Sequence, residues 1–174
     1  METRVNINYS PSRTSEKLGT FNISFQGVDG QIRSVDTKFD PKQLWEFSRD
    51  TTSVAFDFLV LAMIVYNVDR AVHRLSYSDD GWKRDLVLLD VPVINLSSMN
   101  HGREAFNRAI SFLTGDNWDI RFVQANPYDY RPTKNIRNYD QQEFEKVALF
   151  SGGLDSLIGF IDETNTLPDN KKIL

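Results

Sequence analysis

The stretch KVALFSGGLDSLIGFI, residues 146–161, predicts a β-strand, a glycine turn and an α-helix in immediate succession. Lys146 to Phe150 forms a short apolar run suited to a buried parallel strand. The apolar residues after Ser156 provide one face of a helix. A turn between a strand and a helix presents backbone N–H groups and the positive end of the helix dipole to one point, which favours an anion. We therefore expect a phosphate group to bind at this turn.

The predicted phosphate-binding loop consists of six consecutive residues, Ser151, Gly152, Gly153, Leu154, Asp155 and Ser156. The two glycines lack Cβ, so the main chain can approach phosphate oxygens closely, and the two serines offer hydroxyl donors. Asp155 carries a negative charge that would repel phosphate. We therefore expect Asp155 either to cap the helix amides or to bind magnesium directly or through water.

Other phosphate-binding motifs do not fit this loop. The Walker spacing Gly-x-x-x-x-Gly-Lys-Ser/Thr and its lysine are absent, and the dinucleotide fingerprint Gly-x-Gly-x-x-Gly is absent as well. An alternative is a tight strand-to-helix turn without a ligand, in which Asp155 only caps the helix, because such turns favour Gly, Ser and Asp for geometric reasons.

The N-terminal region begins with two segments that alternate apolar and polar residues, as half-buried strands do. Their apolar positions are Val5, Ile7 and Tyr9 in the first segment and Phe21, Ile23 and Phe25 in the second. Gly27 to Gly30 offers residues that tolerate positive φ, and another extended stretch follows with Ile32 and Val35. This pattern predicts a hairpin.

Three helices are predicted within the first 125 residues. Asp40-Pro41 has the composition of a helix start. A second helix has an apolar face that nearly encircles it, and at 15 residues its apolar run Val54–Val68 is shorter than the roughly 20 that span a bilayer, so we expect a buried helix. The face includes Val54, Phe58, Leu61, Val65, Val68 and Val72. The third has candidate caps at Ser97, Ser98 and Asn100, an apolar face of Phe106, Ile110 and Leu113, and a stop at Thr114-Gly115-Asp116.

Two further strands complete the prediction for this region. Trp82–Val93 is extended, and Pro92 indicates a strand end or a sheet edge because proline cannot donate to a ladder. Trp118–Phe122 alternates again. We therefore expect an α+β N-terminal domain, with an antiparallel or mixed sheet and helices, at residues 1–125, a linker or crossing loop at 126–143, and the first β-loop-α unit of an α/β domain at 144–174.

Composition narrows the classes of function. The chain has 174 residues, no cysteine and a net charge of −4. The lack of cysteine excludes disulfides and thiolate chemistry, and the negative charge disfavours a nonspecific nucleic-acid coat.

His73 and His101 have no partner at metal-ligand spacing, so we expect both to be structural or solvated. Arg131, Lys134 and Arg137 lie near tyrosines and could contact phosphate or RNA. We favour the interpretation that they are solvated loop charges, because only a few charges are involved. The N-terminus lacks the apolar core of a secretory signal, so we expect a cytoplasmic location.

Ser151–Ser156 resembles the PP-loop of the N-type ATP pyrophosphatases. The flanking residues Val147–Phe150 and Leu157–Phe160 resemble the 7-cyano-7-deazaguanine synthase (QueC-like) branch of that family. Segments 82–84, 91–93 and 112–118 are similar to the extra N-terminal domain of QueC-like proteins encoded in bacterial antiphage defence systems such as Qat.

This resemblance implies an adenine nucleotide alpha hydrolase-like fold for the second domain and an ATP-dependent adenylating activity. The loop would hold the β and γ phosphates of ATP with Mg²⁺ while a substrate carboxylate attacks the α-phosphate and pyrophosphate leaves. In the queuosine pathway ammonia then displaces AMP to give an amide, and a second ATP-dependent step yields the nitrile. Ser151, Gly152, Gly153 and Ser156 would hold pyrophosphate, Asp155 would support the loop or the metal, and none of them would be a general base.

The sequence also departs from the pattern of the deazaguanine enzyme. The loop comes after about 145 residues rather than near the N-terminus, the zinc-binding cysteines of that enzyme are absent, and the chain reaches only a second parallel strand at 171–174. Either the sequence is a fragment of a longer protein, or another chain supplies the rest of the fold. We favour the fragment and expect it to be inactive on its own. An alternative function is a non-catalytic docking module that binds a protein partner in a defence complex. We expect no membrane association, and the residues do not decide whether nucleic acid is a partner.

Overall fold

A computed structural model describes residues 2–42, 45, 50–78, 80–132, 144–148 and 153–173. The chain divides into two compact units, Met1–Lys134 and Asn135–Leu174. The first unit contains the strands β1 (Glu2–Ser10), β2 (Thr20–Gln26), β3 (Ile32–Lys38), β4 (Asp85–Val93) and β5 (Asn117–Gln124), and the helices α1 (Val54–Ala71), α2 (Arg74–Tyr77) and α3 (Leu96–Thr114). The second contains β6 (Phe144–Lys146), α4 (Leu154–Asn165) and β7 (Lys172–Ile173).

The first unit is an α+β fold built on a mixed five-stranded sheet in the order β3-β2-β1-β4-β5. Strands β1, β2 and β3 pair antiparallel, whereas β1 pairs parallel with β4, and β4 pairs parallel with β5. The predicted hairpin is confirmed, since Gly30 has a φ of +79° and the Gly27 amide donates to the Gln31 carbonyl at 2.7 Å. The sheet therefore joins an antiparallel hairpin to parallel strands at the β1–β4 ladder.

The core lies on one face of the sheet, where alternate strand residues meet the helices. Val5 and Ile7 are buried on β1, Leu88 on β4 and Ile120 on β5. Because Val5 pairs with Leu88 and Leu88 with Ile120, these side chains project from the same face. On β1, the even-numbered positions between the buried residues are exposed.

The long helix α1 buries only one side, so the prediction of an almost encircling apolar face is wrong. Val54 and Phe58, which we expected in the face, are 42% and 53% exposed. The reason is that the sheet covers α1 from one side. The buried residues of this helix are Phe56, Asp57, Val60, Leu61, Ile64 and Val68.

The helix α3 begins and packs differently from the prediction. Its N-cap is Asn95, whose side chain makes no capping hydrogen bond, so Ser97, Ser98 and Asn100 lie inside the helix. Leu113, expected on the packed face, is 79% exposed. The predicted stop is confirmed, because Gly115 has a φ of +76° and its amide donates to the Ser111 carbonyl at 2.9 Å.

Of the two alternatives predicted for Pro92, the strand end is confirmed and the sheet edge is wrong. The strand β4 ends one residue later and lies between β1 and β5. The ladder with β1 ends at Leu89, before Pro92, so the missing N–H of proline removes nothing from that ladder.

Residues 126–130 of the predicted linker pack into the first unit. Tyr128 and Tyr130 are buried, and the Tyr128 ring meets the Tyr9 ring edge-on at 5.1 Å. Burial, and secondarily the charge of Asp57, raises the pKa of Tyr128 far above its ordinary value. The remaining linker residues 133–143 lie outside the described part. The Asp40-Pro41 helix start is seen only at its first turn, where the Trp45 amide donates to the Pro41 carbonyl at 2.8 Å.

In the second unit, β6 and β7 pair parallel, with α4 between them in the chain. The predicted strand at 146–150 is displaced. The described strand ends at Lys146, Val147 and Ala148 follow outside it, and 149–150 fall outside the described residues. The ladder of the described residues pairs Phe144 with Lys172 and Lys146 with Ile173.

Two buried carboxylates hold the first unit together. Asp57 on α1 is fully buried and accepts hydrogen bonds from the amides of Ile94 and Asn95 at 2.8 Å, and from the Asn95 side chain at 2.9 Å. Asp116 forms ion pairs with the buried Arg84 and, at 2.8 Å, with Arg74. These groups join helices to the two ends of β4, and we assign them a structural role.

We predict that Asp57→Ala lowers the free energy of unfolding by about 3 kcal/mol, because three part-buried donors lose a fully buried charged acceptor. Chemical denaturation at neutral pH measures this change. Glu104→Ala is the matched control, because that carboxylate is 84% exposed in an ion pair with Arg108, and it should cost less than about 0.5 kcal/mol. Equal losses in the two variants would contradict the role of Asp57.

The Asp116 carboxylate should make the free energy of unfolding depend on pH in the acidic range. Burial alone would raise the pKa of Asp116, but hydrogen bonds from Arg84 and the charges of Arg84 and Arg74 outweigh it and lower this pKa below 3.8. A carboxylate with a lowered pKa in the folded state contributes stability above pH 3.8, and this contribution disappears as the pH falls through the folded-state pKa.

We expect Asp116→Asn to be less stable than the wild type by about 3 kcal/mol near pH 6, because it breaks a buried ion pair. The difference should shrink steadily below pH 4. Denaturation midpoints of both proteins between pH 3 and pH 6 measure it, and a difference that stays constant across this range would show that the pair does not carry the effect.

Candidate functional site

The predicted phosphate-binding loop leads directly into α4. Gly153 is the N-cap residue, with φ of −85° and ψ of 162°, and Leu154 begins the helix. Ser151 and Gly152 lie outside the described residues. The described part of the loop, residues 153–156, therefore places the N-terminus of a twelve-residue helix where the sequence predicts the phosphate. No side chain caps the helix at Gly153.

Ser156 closes the first turn of this helix. Its Oγ donates to the Gly153 carbonyl at 2.8 Å, and the Leu157 amide donates to the same carbonyl at 3.2 Å. To donate to a phosphate instead, the Ser156 hydroxyl would have to turn away from that carbonyl. The predicted role of Ser156 therefore involves a change of its hydrogen bond when the ligand binds.

Asp155 lies in the first turn of α4 and is exposed. A carboxylate there is favoured by the helix dipole. Among the described residues, no group of three or more His, Cys, Asp or Glu side chains could hold a metal ion. A magnesium ion at Asp155 would therefore take most of its oxygen ligands from phosphate and water, as magnesium bound with nucleotides commonly does.

The far end of α4 is tied to β6 by a charged side chain. Lys146 Nζ forms an ion pair with Glu163 and lies 3.4 Å from the Thr166 Oγ1. Lys171 lies 3.8 Å from Glu145. These contacts place Glu145 and Glu163 in ion pairs at the edges of a strand and a helix.

The helix α4 exposes its apolar residues. In the described part of the chain none of its side chains is buried. The most exposed large ones, between 38% and 70%, are Leu154, Leu157, Ile158, Phe160 and Ile161. A helix with this composition normally buries such a face against other elements.

The other predicted candidates do not assemble into a site. His73 precedes α2 and His101 lies on α3, and both are exposed. Arg131 is 81% exposed beside Asp129, while Lys134 and Arg137 lie outside the described residues. The described residues therefore give no support for nucleic acid as a binding partner.

Two surface features of the first unit were not predicted from the sequence. One is an open cleft of about 620 Å³ at the carboxyl ends of β1, β4 and β5. The other, here called the Trp82 patch, consists of four apolar side chains that are 77% to 89% exposed: Leu75, Trp82, Phe112 and Leu113. In the sequence, only the tryptophan at position 82 pointed to this patch. A tryptophan is also a common core residue, so the sequence did not show that its side chain is exposed.

Arg74 holds the segments of the Trp82 patch together. Its guanidinium donates to the Trp82 carbonyl at 3.3 Å and to the Thr114 carbonyl at 2.7 Å. Leu75 follows Arg74 in α2, and Phe112 and Leu113 precede Thr114 at the end of α3. The four side chains therefore belong to one rim of the first unit.

Among the described residues, no helix combines the length and apolar composition needed to cross a bilayer.

Comparisons with protein-family models, with curated proteins and with solved structures found no match. The assignment of function therefore depends on the residues and their geometry.

Proposed function

We propose that this chain is the N-terminal part of a QueC-like ATP-dependent adenylating enzyme whose loop at 151–156 binds the pyrophosphate of ATP. The observation that supports the proposal is the order of elements in the second unit. The loop residue Gly153 caps a helix that lies in the chain between two parallel strands, β6 and β7. This is the arrangement in which a helix N-terminus serves as a phosphate site.

In this proposal the backbone around Gly152 and Gly153 cradles the β and γ phosphates, and Ser151 and Ser156 donate to their oxygens. Mg²⁺ would neutralise part of the phosphate charge, with Asp155 as a direct or water-mediated partner. The chain supplies binding and orientation of the leaving group. The acceptor carboxylate and the groups that recognise adenine would come from the rest of the α/β domain.

The exposed apolar side of α4 supports the same proposal. In a complete α/β domain such a helix packs on a sheet of several strands, whereas β6 and β7 together have five residues. We propose that further strands and helices cover this side and complete the enzyme. The described unit alone would bind a phosphate ligand without turnover. By resemblance, we propose that the enzyme acts in antiphage defence, and we also propose a cytoplasmic location.

A second candidate function is docking of a protein partner by the first unit. The Trp82 patch favours it, because exposed aromatic and aliphatic side chains grouped on one rim are typical of interaction sites. This function requires no nucleotide, and it is compatible with adenylation by the complete protein.

We predict that Gly153→Ala weakens binding of magnesium pyrophosphate by about tenfold or more, the effect of losing one charge-assisted hydrogen bond. The φ of Gly153 suits any residue, so alanine should preserve the fold while its methyl group separates the main chain from the phosphate. Isothermal titration calorimetry on the chain measures the affinity.

Gly159→Ala is the matched control for this prediction. A Cβ at Gly159 would meet nothing within 4 Å, and alanine should stabilise the helix by about 0.5–1 kcal/mol without changing affinity. If the wild-type chain fails to bind pyrophosphate, or if Gly153→Ala binds equally well, the loop is a structural turn and the proposal is wrong.

For the docking function, we predict that a Trp82→Ser, Phe112→Ser double variant no longer co-purifies with the partner protein of the defence complex, with or without ATP. Both side chains are largely exposed, so unfolding should shift by about 0.5 kcal/mol or less for each. Val28→Ser, at an exposed position in the β2–β3 turn, is the control. Retention of the partner by the double variant would contradict docking through this patch.

A further inference from the structure

The cleft in the first unit forms because β1 separates from β4. The β1–β4 ladder ends at the pair of Asn6 and Leu89. Beyond it, β1 continues to Ser10 along β2, and β4 continues to Val93 along β5. The space of about 620 Å³ opens between them, at the carboxyl ends of parallel strands. Sheets with parallel strands commonly bind ligands at this end.

A bulge in β4 places a carboxylate at the wall of this cleft. Leu88 pairs with Ile120 and Val91 with Phe122, so β4 has one more residue than β5 over this interval. Asp90, inside the bulge, has a φ of +61°, an uncommon conformation for a residue with a side chain. Bulges often redirect a side chain beside a functional site.

The Asp90 carboxylate is available to a ligand. Within the described part of the chain it has no hydrogen-bond or ion-pair partner. The other carboxylate of the cleft, Asp129, differs in this respect because Arg131 lies 3.4 Å from it. Among the described lining residues, Asp90 is therefore the exposed carboxylate that no protein cation neutralises.

The remaining lining has polar but uncharged groups and apolar walls. The lining includes the residues Asn6, Asn8 and Asn126, together with Pro92 and Val123. Among the described residues that line the cleft there is no lysine, arginine or histidine. This composition suits a ligand with an apolar body and a charged donor, and it disfavours an anion such as a nucleotide phosphate.

We propose that this cleft binds an organic cation, an ammonium or guanidinium group carried by a small molecule or by a peptide side chain, with Asp90 as its counter-ion. A metal ion fits less well, since no cluster of three or more potential ligands occurs in the described residues. Asn6, Asn8 and Asn126 would accept the remaining N–H donors through their amide oxygens. The cleft is in the first unit, so this binding is independent of the phosphate loop.

Isothermal titration of the whole chain with agmatine, butylammonium and the peptide Ala-Arg-Ala-amide tests the proposal. We expect saturable binding of the cations and none of butanol or butyrate. Asp90→Asn should weaken binding by about tenfold or more, as the loss of a charge-assisted hydrogen bond implies. Asp119→Asn, which removes an exposed carboxylate paired with Arg121 outside the cleft, should leave the affinity unchanged.

A second variant separates lost binding from lost folding. Asp90→Gly removes the carboxylate and places glycine at the positive φ, so its melting temperature should equal or exceed that of the wild type. It should also fail to bind the cations. Tighter binding of the peptide than of agmatine would identify a protein side chain as the ligand, and the reverse order would identify a small molecule. Absence of binding, equal binding of butanol, or unchanged affinity in both Asp90 variants would overturn the proposal.

Discussion

The parallel pairing of β1 with β4 is the constraint on which the first unit depends. It joins the antiparallel strands β1, β2 and β3 to the parallel β4–β5 pair, and without it neither half has a sheet wide enough to cover α1. Val5 and Leu88 face each other across this ladder and are fully buried. The same pairing determines where the cleft opens, because the cleft begins where the ladder ends.

The buried charges have a second role, which is to fix the ends of β4. Arg84 at its start donates to the carbonyl of Asp69 at 3.1 Å and pairs with Asp116, whereas Asp57 holds the two amides that follow its end. Buried charged groups of this kind specify one arrangement because a shift of register would leave each of them unpaired. Their charged partners lie inside the fold, whereas Asp90 faces the cleft.

Local pattern was sufficient to predict much of the fold. The alternation of Phe21, Ile23 and Phe25 and the glycines at 27 and 30 predicted the hairpin correctly, because strands and turns depend on neighbouring residues. The exposure of Phe58 and Leu113 could not be predicted, since it depends on which side of each helix the sheet covers. The parallel β1–β4 pairing joins segments that are far apart in the sequence. Local sequence patterns therefore do not predict it.

For the candidate site, the strand-loop-helix motif could be recognised in the sequence because its six loop residues, 151–156, are consecutive. The helix start at Leu154 agrees with that prediction, whereas the strand proved to lie earlier in the chain. The cleft could not be predicted in the same way. Asp90 is flanked by Leu89 and Val91 and gives no sign of a bulge, because the extra residue is defined only by comparison with the partner strand β5.

The β1–β4 ladder also has a kinetic consequence. Its paired residues are about 80 positions apart in the chain, and contacts of such long range generally slow folding. During synthesis from the N-terminus, β1 emerges long before β4. The antiparallel strands β1, β2 and β3 therefore remain without their parallel partner β4, and their apolar face stays exposed during this time. Folding of the first unit is therefore completed only after β4 is made, and the interval before that is when the nascent chain is most exposed to aggregation.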